Sequence, residues 1–165
     1  CENDFAYLSN GTKINYSFLI FTGGIEASKF DEESNIQTNS RGQIIVNEYL
    51  QTKEYENIFA IGDIAQIQNN KAEIMPPNVT IARITGTIAG KNILNMINNK
   101  KLLKCDPKLE GILIALGGKY AVGDLYGILQ VKGILAYIIK KYVFSSYREP
   151  LLKLIKIGYS RLKKQ

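Results

Sequence analysis

Asn57-Ile58-Phe59-Ala60-Ile61-Gly62-Asp63-Ile64-Ala65-Gln66 says more about architecture than any other segment of this 165-residue chain. Ile58 to Ile61 is a short apolar run with β-branched and aromatic members, which predicts a strand buried on both faces. Gly62 then offers a backbone without a Cβ, which a ligand can approach closely, and Asp63 a carboxylate that accepts hydrogen bonds from hydroxyls. That order suits a ribose or ribityl chain. It equally describes a strand running into an Asp-containing turn.

The flanking segments narrow the choice. Upstream stands Leu50-Gln51-Thr52, and downstream Met75-Pro76-Pro77-Asn78-Val79-Thr80 opens a long helical pattern. With the Ala60-Ile61-Gly62-Asp63 strand end, these segments resemble the second FAD-binding motif of the two-dinucleotide-binding-domain flavoproteins, and in particular the type II NADH:quinone oxidoreductases. The likeness runs from Phe5 to Lys164. One departure is plain: the family carries Ala-Gln at the start of the helix, and this chain carries Val79 and Thr80.

The net charge of +6 is unevenly placed. From Val131 onward nine basic residues face the single acid Glu149, giving +8 and leaving −2 for everything before. A near-neutral body with a basic, apolar tail points to an acidic surface as partner. Two cysteines, Cys1 and Cys105, make no metal or disulfide framework, and the lack of histidine removes most zinc and triad chemistry. A reduced intracellular setting is the default for such a chain, and no run of eighteen apolar residues predicts a membrane span. There is no initiator Met and no Gly-x-Gly-x-x-Gly loop to hold a pyrophosphate. The chain reads as a fragment, and the resemblance implies two such Gly-rich loops, one for FAD and one for NADH, that would precede Cys1 in the parent protein.

In order, Phe5–Leu8 and Lys13–Tyr16 flank Ser9-Asn10-Gly11-Thr12, which predicts a hairpin with a primed type I turn. Ser17–Phe21 predicts a buried strand ending in Gly23-Gly24, either a turn after a core strand or a cofactor approach. Residues 28–40 read as a surface loop, Gln43–Val46 as a short strand, Tyr49–Glu56 as a polar connection and Asn69-Asn70 as a turn. From Val79 to Ile97 apolar residues recur at helical spacing, with Gly86 and Gly90 placed for close packing and Asn98-Asn99 as the stop. After a linker, Ile112–Leu116, Lys119–Val122 and Leu125–Leu129 predict a small meander. Two amphipathic helices follow, broken at Ser145-Ser146 and restarted at Pro150. The expected fold class is thus an α+β fragment, the C-terminal part of a two-dinucleotide-binding-domain flavoprotein over residues 1–104, followed over 105–165 by a β-meander and two amphipathic helices.

The resemblance implies roles. Gly62 and Asp63 fall on the ribityl and phosphate side of FAD, and Gly23 and Gly24 near the cofactors. Val79 and Thr80 fall at the flavin ring and the quinone edge. A helix N-terminus carries roughly half a positive charge, worth on the order of 0.3–2 kcal/mol to a nearby anion, and would favour a reduced anionic ring. The alternative for this helix is a core element with no ligand. No side chain is assigned to catalysis and none to a metal. NADH would be the donor and a membrane quinone the acceptor, at the cytoplasmic face of a bacterial inner membrane. Ile134, Tyr137, Ile138, Leu151, Leu152, Ile155 and Tyr159, with Lys153 and Lys156, would meet the lipid surface. The same helices read equally as a hairpin packed on the body or as a homodimer interface. A sulfide:quinone oxidoreductase, which needs redox cysteines, and a non-catalytic membrane-surface or dimerisation module are the other readings. Nucleic-acid binding is not expected, because the basic residues come with aliphatic stripes.

Overall fold

The computed structural model describes residues 5–27 and 34–162, with side chains described as far as Lys153 and at Ile155, except Leu154. Cys1, Lys163 and Lys164 lie outside the described residues, and Lys156 and Tyr159 outside the described side chains. The elements are β1 (Phe5–Tyr7), β2 (Lys13–Asn15), β3 (Ile44–Ile45), a single 3₁₀ turn (Gly62–Ile64), β4 (Ala65–Gln66), α1 (Val79–Ile97), β5 (Gly111–Gly117), β6 (Tyr120–Leu125), β7 (Leu129–Lys132) and α2 (Gly133–Leu162). They form an antiparallel β1–β2 hairpin, a parallel β3–β4 pair and an antiparallel β5-β6-β7 meander.

The β1–β2 turn differs from the primed turn expected. Gly11 N–H donates to the Leu8 carbonyl and Leu8 N–H to the Thr12 carbonyl, with positive φ at Gly11 and not at Asn10. That is a type I turn followed by one left-handed residue, the usual three-residue hairpin loop. The same geometry recurs three times in the body, over residues 39–43, 47–51 and 69–73, each opening on an asparagine. In each, the Asn Oδ1 accepts two backbone N–H groups and its Nδ2 donates to the fifth side chain, Gln43, Gln51 or Glu73. The left-handed fourth residue is Gly42, Leu50 or Ala72. Leu50 adopts φ +71 while 1% exposed. The conformation costs about 1–2 kcal/mol and burying a leucine returns about 1.5–3, so the side chain stabilises a turn its backbone resists.

Two apolar runs are less buried than expected. Ile58 to Ile61 makes one bridge, Phe59 to Gln51, and Ala60 N–H donates to the Leu50 carbonyl. Ala60 is buried, but Ile58 and Ile61 are 37% and 39% exposed. Only the 50–52 segment lies alongside, so the strand buried on both faces does not form among the described residues. Ser17–Phe21 bends at Ser17 and Phe18 and forms no strand there, with Phe18 and Phe21 more than four-fifths exposed. A run of this composition is buried only when a sheet supplies neighbours on both sides.

The first core gathers Ile44, Leu50, Ala60, Ala65, Ile67, Ile81, Ala89 and Cys105 against the inner face of α1. That helix spans the expected residues. Asn78 caps its start, Oδ1 accepting the Ile81 N–H at 2.9 Å, and Asn98 closes its end. Gly86 and Gly90 are not there for close packing: a Cβ on Gly86 would make ordinary contact with Ile61, and on Gly90 would meet open space. A second core of Ala121, Val131 and Ala136 joins the meander to α2.

The third meander strand begins later than expected. Tyr126 and Gly127 both take positive φ, and Ile128 N–H donates to the Leu125 carbonyl, so residues 126–128 are the turn and Leu129–Lys132 the strand. The two expected terminal helices are one, α2, with Pro150 inside it. Ser146 does not break the helix because its Oγ donates to the Val143 carbonyl at 2.7 Å, a bond that helical geometry accommodates. No described helix is long and apolar enough to cross a membrane.

Candidate functional site

The 3₁₀ turn at Gly62–Ile64 lies against the first turns of α1. Gly62 is held at φ +65, and a Cβ there would meet Ala82 Cβ at 3.4 Å. Its N–H donates to Thr85 Oγ1 at 3.1 Å. Glycine at this position therefore serves the turn and the helix contact, and its N–H is not free for a phosphate. Asp63 follows with an exposed side chain that accepts no hydrogen bond among the described residues. Its backbone carbonyl accepts Gln43 Nε2 at 3.1 Å.

Asp63 opens into a cleft of about 520 Å³ that it shares with Gly23, Gly24, Arg41, Gln43 and Pro77. Three of the residues expected near a cofactor, Gly23, Gly24 and Asp63, are thus brought together although 39 positions separate the outer two in sequence. A carboxylate with spare acceptor capacity beside a glycine pair and an arginine fits a ligand rich in hydroxyls and carrying negative charge. Gln43 was not visible as a site residue from sequence. It is 9% exposed, and Asn39 Nδ2 fixes its Oε1 at 3.0 Å, so that Nε2 points at the Asp63 carbonyl.

Val79 and Thr80 lie elsewhere, on a groove of about 510 Å³ walled by β5 and α2. Its lining is mainly apolar and aromatic, including Leu113, Tyr137, Phe144 and Tyr147, with Lys140 and Lys141 at hand. The start of α1 is the partition: Pro77 lines the polar cleft, and Asn78, Val79 and Thr80 line the apolar groove. Thr80 Oγ1 lies 3.0 Å from Tyr147 OH, and the Arg83 guanidinium sits 5.3 Å from the Tyr147 ring centre, a cation–π contact. Lys140 Nζ donates to the Leu113 carbonyl at 2.7 Å. An apolar groove with a hydroxyl pair on one wall suits a flat, apolar molecule with an oxygen at its edge.

The residues expected on a lipid surface divide. Ile134, Ile138, Leu151 and Ile155 are each more than half exposed, and Leu152 and Lys153 are exposed as well. Tyr137 departs from them, packing half-buried against the second core and lining the groove. The cause is the helical period: Ala136, Tyr137 and Lys140 fall on the side of α2 that meets the meander.

Cys105 is 6% exposed and burial pushes its thiol up to about 11. At pH 8 about one such thiol in a thousand is ionised, too few for a redox or nucleophilic role. Iodoacetamide at pH 8 is expected to leave Cys105 unlabelled in the native protein while labelling it after denaturation, as read by peptide mass mapping. Native labelling at the denatured rate would refute the burial. No group of three or more metal-ligating side chains occurs among the described residues.

Comparison with known proteins follows the same segments. A family model described as "Pyridine nucleotide-disulphide oxidoreductase" matches residues 2–86, a stretch that includes Gly23, Gly24, Asp63 and the start of α1. The chain is 28% identical over 155 residues to a "Type II NADH:quinone oxidoreductase" of Haemophilus influenzae, covering 90% of this chain and 35% of that protein. It is 29% identical over 145 residues to a protein of the same name from Staphylococcus aureus, covering 86% of this chain and 36% of that protein. The chain spans about a third of the length of these curated relatives.

Proposed function

This chain belongs to the pyridine nucleotide-disulphide oxidoreductase family, and from that premise we propose that it is the C-terminal part of a type II NADH:quinone oxidoreductase. The observation that carries the proposal is the partition at the start of α1. On one side of it Asp63, Gly23 and Gly24 share a polar cleft, and on the other Val79 and Thr80 open on an apolar groove. An electron carrier bound in the cleft and an apolar acceptor in the groove would meet across one helix start.

FAD fits the cleft residues. Asp63 would accept hydrogen bonds from the ribityl hydroxyls with its unengaged carboxylate, while Gly24, where a Cβ would meet nothing within 4 Å, leaves open space for the cofactor; at Gly23 that space is taken by the Phe21 ring. Pro77 and the capped first turn hold the positive end of α1 at the partition, where it favours negative charge. The chemistry that a flavin held there would supply is acceptance of a hydride from NADH and delivery of two electrons to the acceptor. This chain's own residues position and bind. Val79 and Thr80 would form the quinone edge, and the Thr80–Tyr147 hydroxyl pair would offer a hydrogen-bonding group to a quinone oxygen. Residues 1–104 would complete the FAD-binding domain and residues 105–165 the membrane-facing unit, with NADH held by a part of the intact protein outside this chain. The intact protein is expected to purify with FAD and to reduce a short-chain quinone with NADH. NADH oxidation that stops at the flavin, with ferricyanide but no quinone as acceptor, would refute the acceptor assignment.

The exposed side of α2 supports a peripheral position on the cytoplasmic face of a bacterial inner membrane. Ile134, Ile138, Leu151, Leu152 and Ile155 with Lys153 would lie in the headgroup plane, each cation adding about 1 kcal/mol on an anionic leaflet. Removing residues 131–165 is expected to abolish co-sedimentation of the intact protein with anionic liposomes at moderate salt. Equal binding by both proteins would refute the anchor, and a change from dimer to monomer without loss of liposome binding would assign α2 to a homodimer interface. The sulfide:quinone alternative is weakened by Cys105, buried in the first core away from the cleft lining.

A further inference from the structure

We infer that Thr85 is a positioning residue for the cofactor, fixing the Asp63 carboxylate against the start of α1; the inference rests on the flavin reading of that cleft. Thr85 is 0% exposed, in the second turn of α1 and against the Gly62–Ile64 turn. Its hydroxyl makes two bonds of opposite sense. Oγ1 accepts the Gly62 N–H at 3.1 Å and donates its single proton back into α1, to the Ile81 carbonyl at 2.8 Å, with the Ala82 carbonyl at 3.2 Å. The hydroxyl proton is committed to the helix, so the lone pair is what holds the turn.

This link sits one residue before the carboxylate. Gly62 at φ +65 is a hinge that the backbone alone does not lock, because glycine visits many conformations. Thr85 locks it from the helix side, and Gln43 Nε2 holds the Asp63 carbonyl from the opposite side. With both in place, Asp63 is aimed into the cleft and its distance to the helix start is set. Without the hydroxyl, the Gly62 N–H, in a half-buried turn, loses its partner, and the turn must shift to pair it again. A small displacement of one carboxylate is enough to misplace its bonds to a polyol.

The test uses the intact flavoprotein, stripped of FAD and titrated with it. Thr85→Val, which keeps the shape and removes the hydroxyl, is expected to raise the FAD dissociation constant about tenfold, and Thr85→Ser to stay within about twofold of the parent. Thr85→Ala serves as the second hydroxyl-free variant if the valine protein does not fold. A purely structural role would lower the melting temperature of the apoprotein and leave FAD affinity well below that temperature unchanged. That result, with Asp63→Ala losing FAD, overturns the inference. An equal loss in Thr85→Ser and Thr85→Val also overturns it, since the hydroxyl would not be the cause. Full FAD affinity in Asp63→Ala would instead overturn the flavin reading of the cleft, and this inference with it.

Discussion

Asp63→Ala in the intact protein is expected to purify nearly free of FAD, with a dissociation constant raised by a factor of about a hundred or more. Hydrogen bonds to a charged acceptor contribute about 1.5–3 kcal/mol each. Two of them to adjacent ribityl hydroxyls would make about 3–6 kcal/mol, or roughly two to four powers of ten in affinity. The fold should not suffer. The Asp63 side chain is exposed and accepts no hydrogen bond among the described residues, and surface substitutions of that kind change stability by only about 0.5 kcal/mol. Asp63→Asn keeps one acceptor oxygen and loses the charge, so it should fall between the two. Titration of the apoprotein with FAD, followed by fluorescence, reads all three. Flavin occupancy equal to the parent in Asp63→Ala would remove the central assignment, and a large drop in apoprotein stability would mean that the carboxylate serves the fold instead.

What sequence could tell was what local pattern encodes. The 3.6-residue recurrence from Val79 to Ile97 gave α1 to the residue, and turn residues gave the hairpin and the first meander strand, whereas the second, expected to stop at Val122, runs on through Gly123-Asp124 to Leu125. The resemblance implies that Gly23, Gly24 and Asp63 stand near one cofactor, and the three line one cleft. Errors arose where burial was inferred from composition. Ser17–Phe21 and Ile58–Ile61 are as apolar as core strands, yet a strand's burial depends on neighbours that composition does not name. Ser145-Ser146 and Pro150 looked like a break, but a serine hydroxyl bonded to Val143 leaves the helix continuous.

Polar residues in the interior were the larger blind spot. Thr85 and Asn92 occupy helical positions among isoleucines and alanines, where a polar residue reads as solvent-facing, and both are 0% exposed. Their partners are 23, 43 and 11 positions away, beyond any local pattern. The repeated turn is legible in the sequence. Asparagine followed four residues later by glutamine or glutamate occurs at 39–43, 47–51 and 69–73, and each copy folds alike. Two copies prepare α1's surroundings: the first delivers Gln43 to Asp63, and the second delivers Leu50 to the core and the Tyr49 carbonyl to Asn92.

Asn92→Ala is expected to lower stability by about 3–5 kcal/mol. Its Nδ2 donates to the Tyr49 carbonyl at 3.1 Å and the Leu103 carbonyl at 2.9 Å, and its Oδ1 accepts the Leu103 N–H at 2.7 Å. One buried side chain thus joins α1 to the second Asn turn and to the segment leading to Cys105, whose own N–H donates to the Glu48 carbonyl at 2.8 Å. Removing it leaves three backbone groups without this partner, at about 1–3 kcal/mol each, partly relieved by relaxation and by water at Leu103, which is 41% exposed. For a protein of this size that is a fall of about 10 °C in melting temperature, and less for a longer one. Asn92→Asp should be worse than alanine despite its shape. The carboxylate still accepts from Leu103 N–H but faces two carbonyl oxygens it cannot donate to, and its buried charge has no described cation to offset it. Thermal unfolding of the apoproteins orders the three, parent above alanine above aspartate at neutral pH. Aspartate should recover relative to alanine as the pH falls, because its folded-state pKa is raised and protonation restores one donor. An aspartate variant as stable as the parent at pH 7 would show that water reaches this junction and that the two carbonyls do not depend on Asn92.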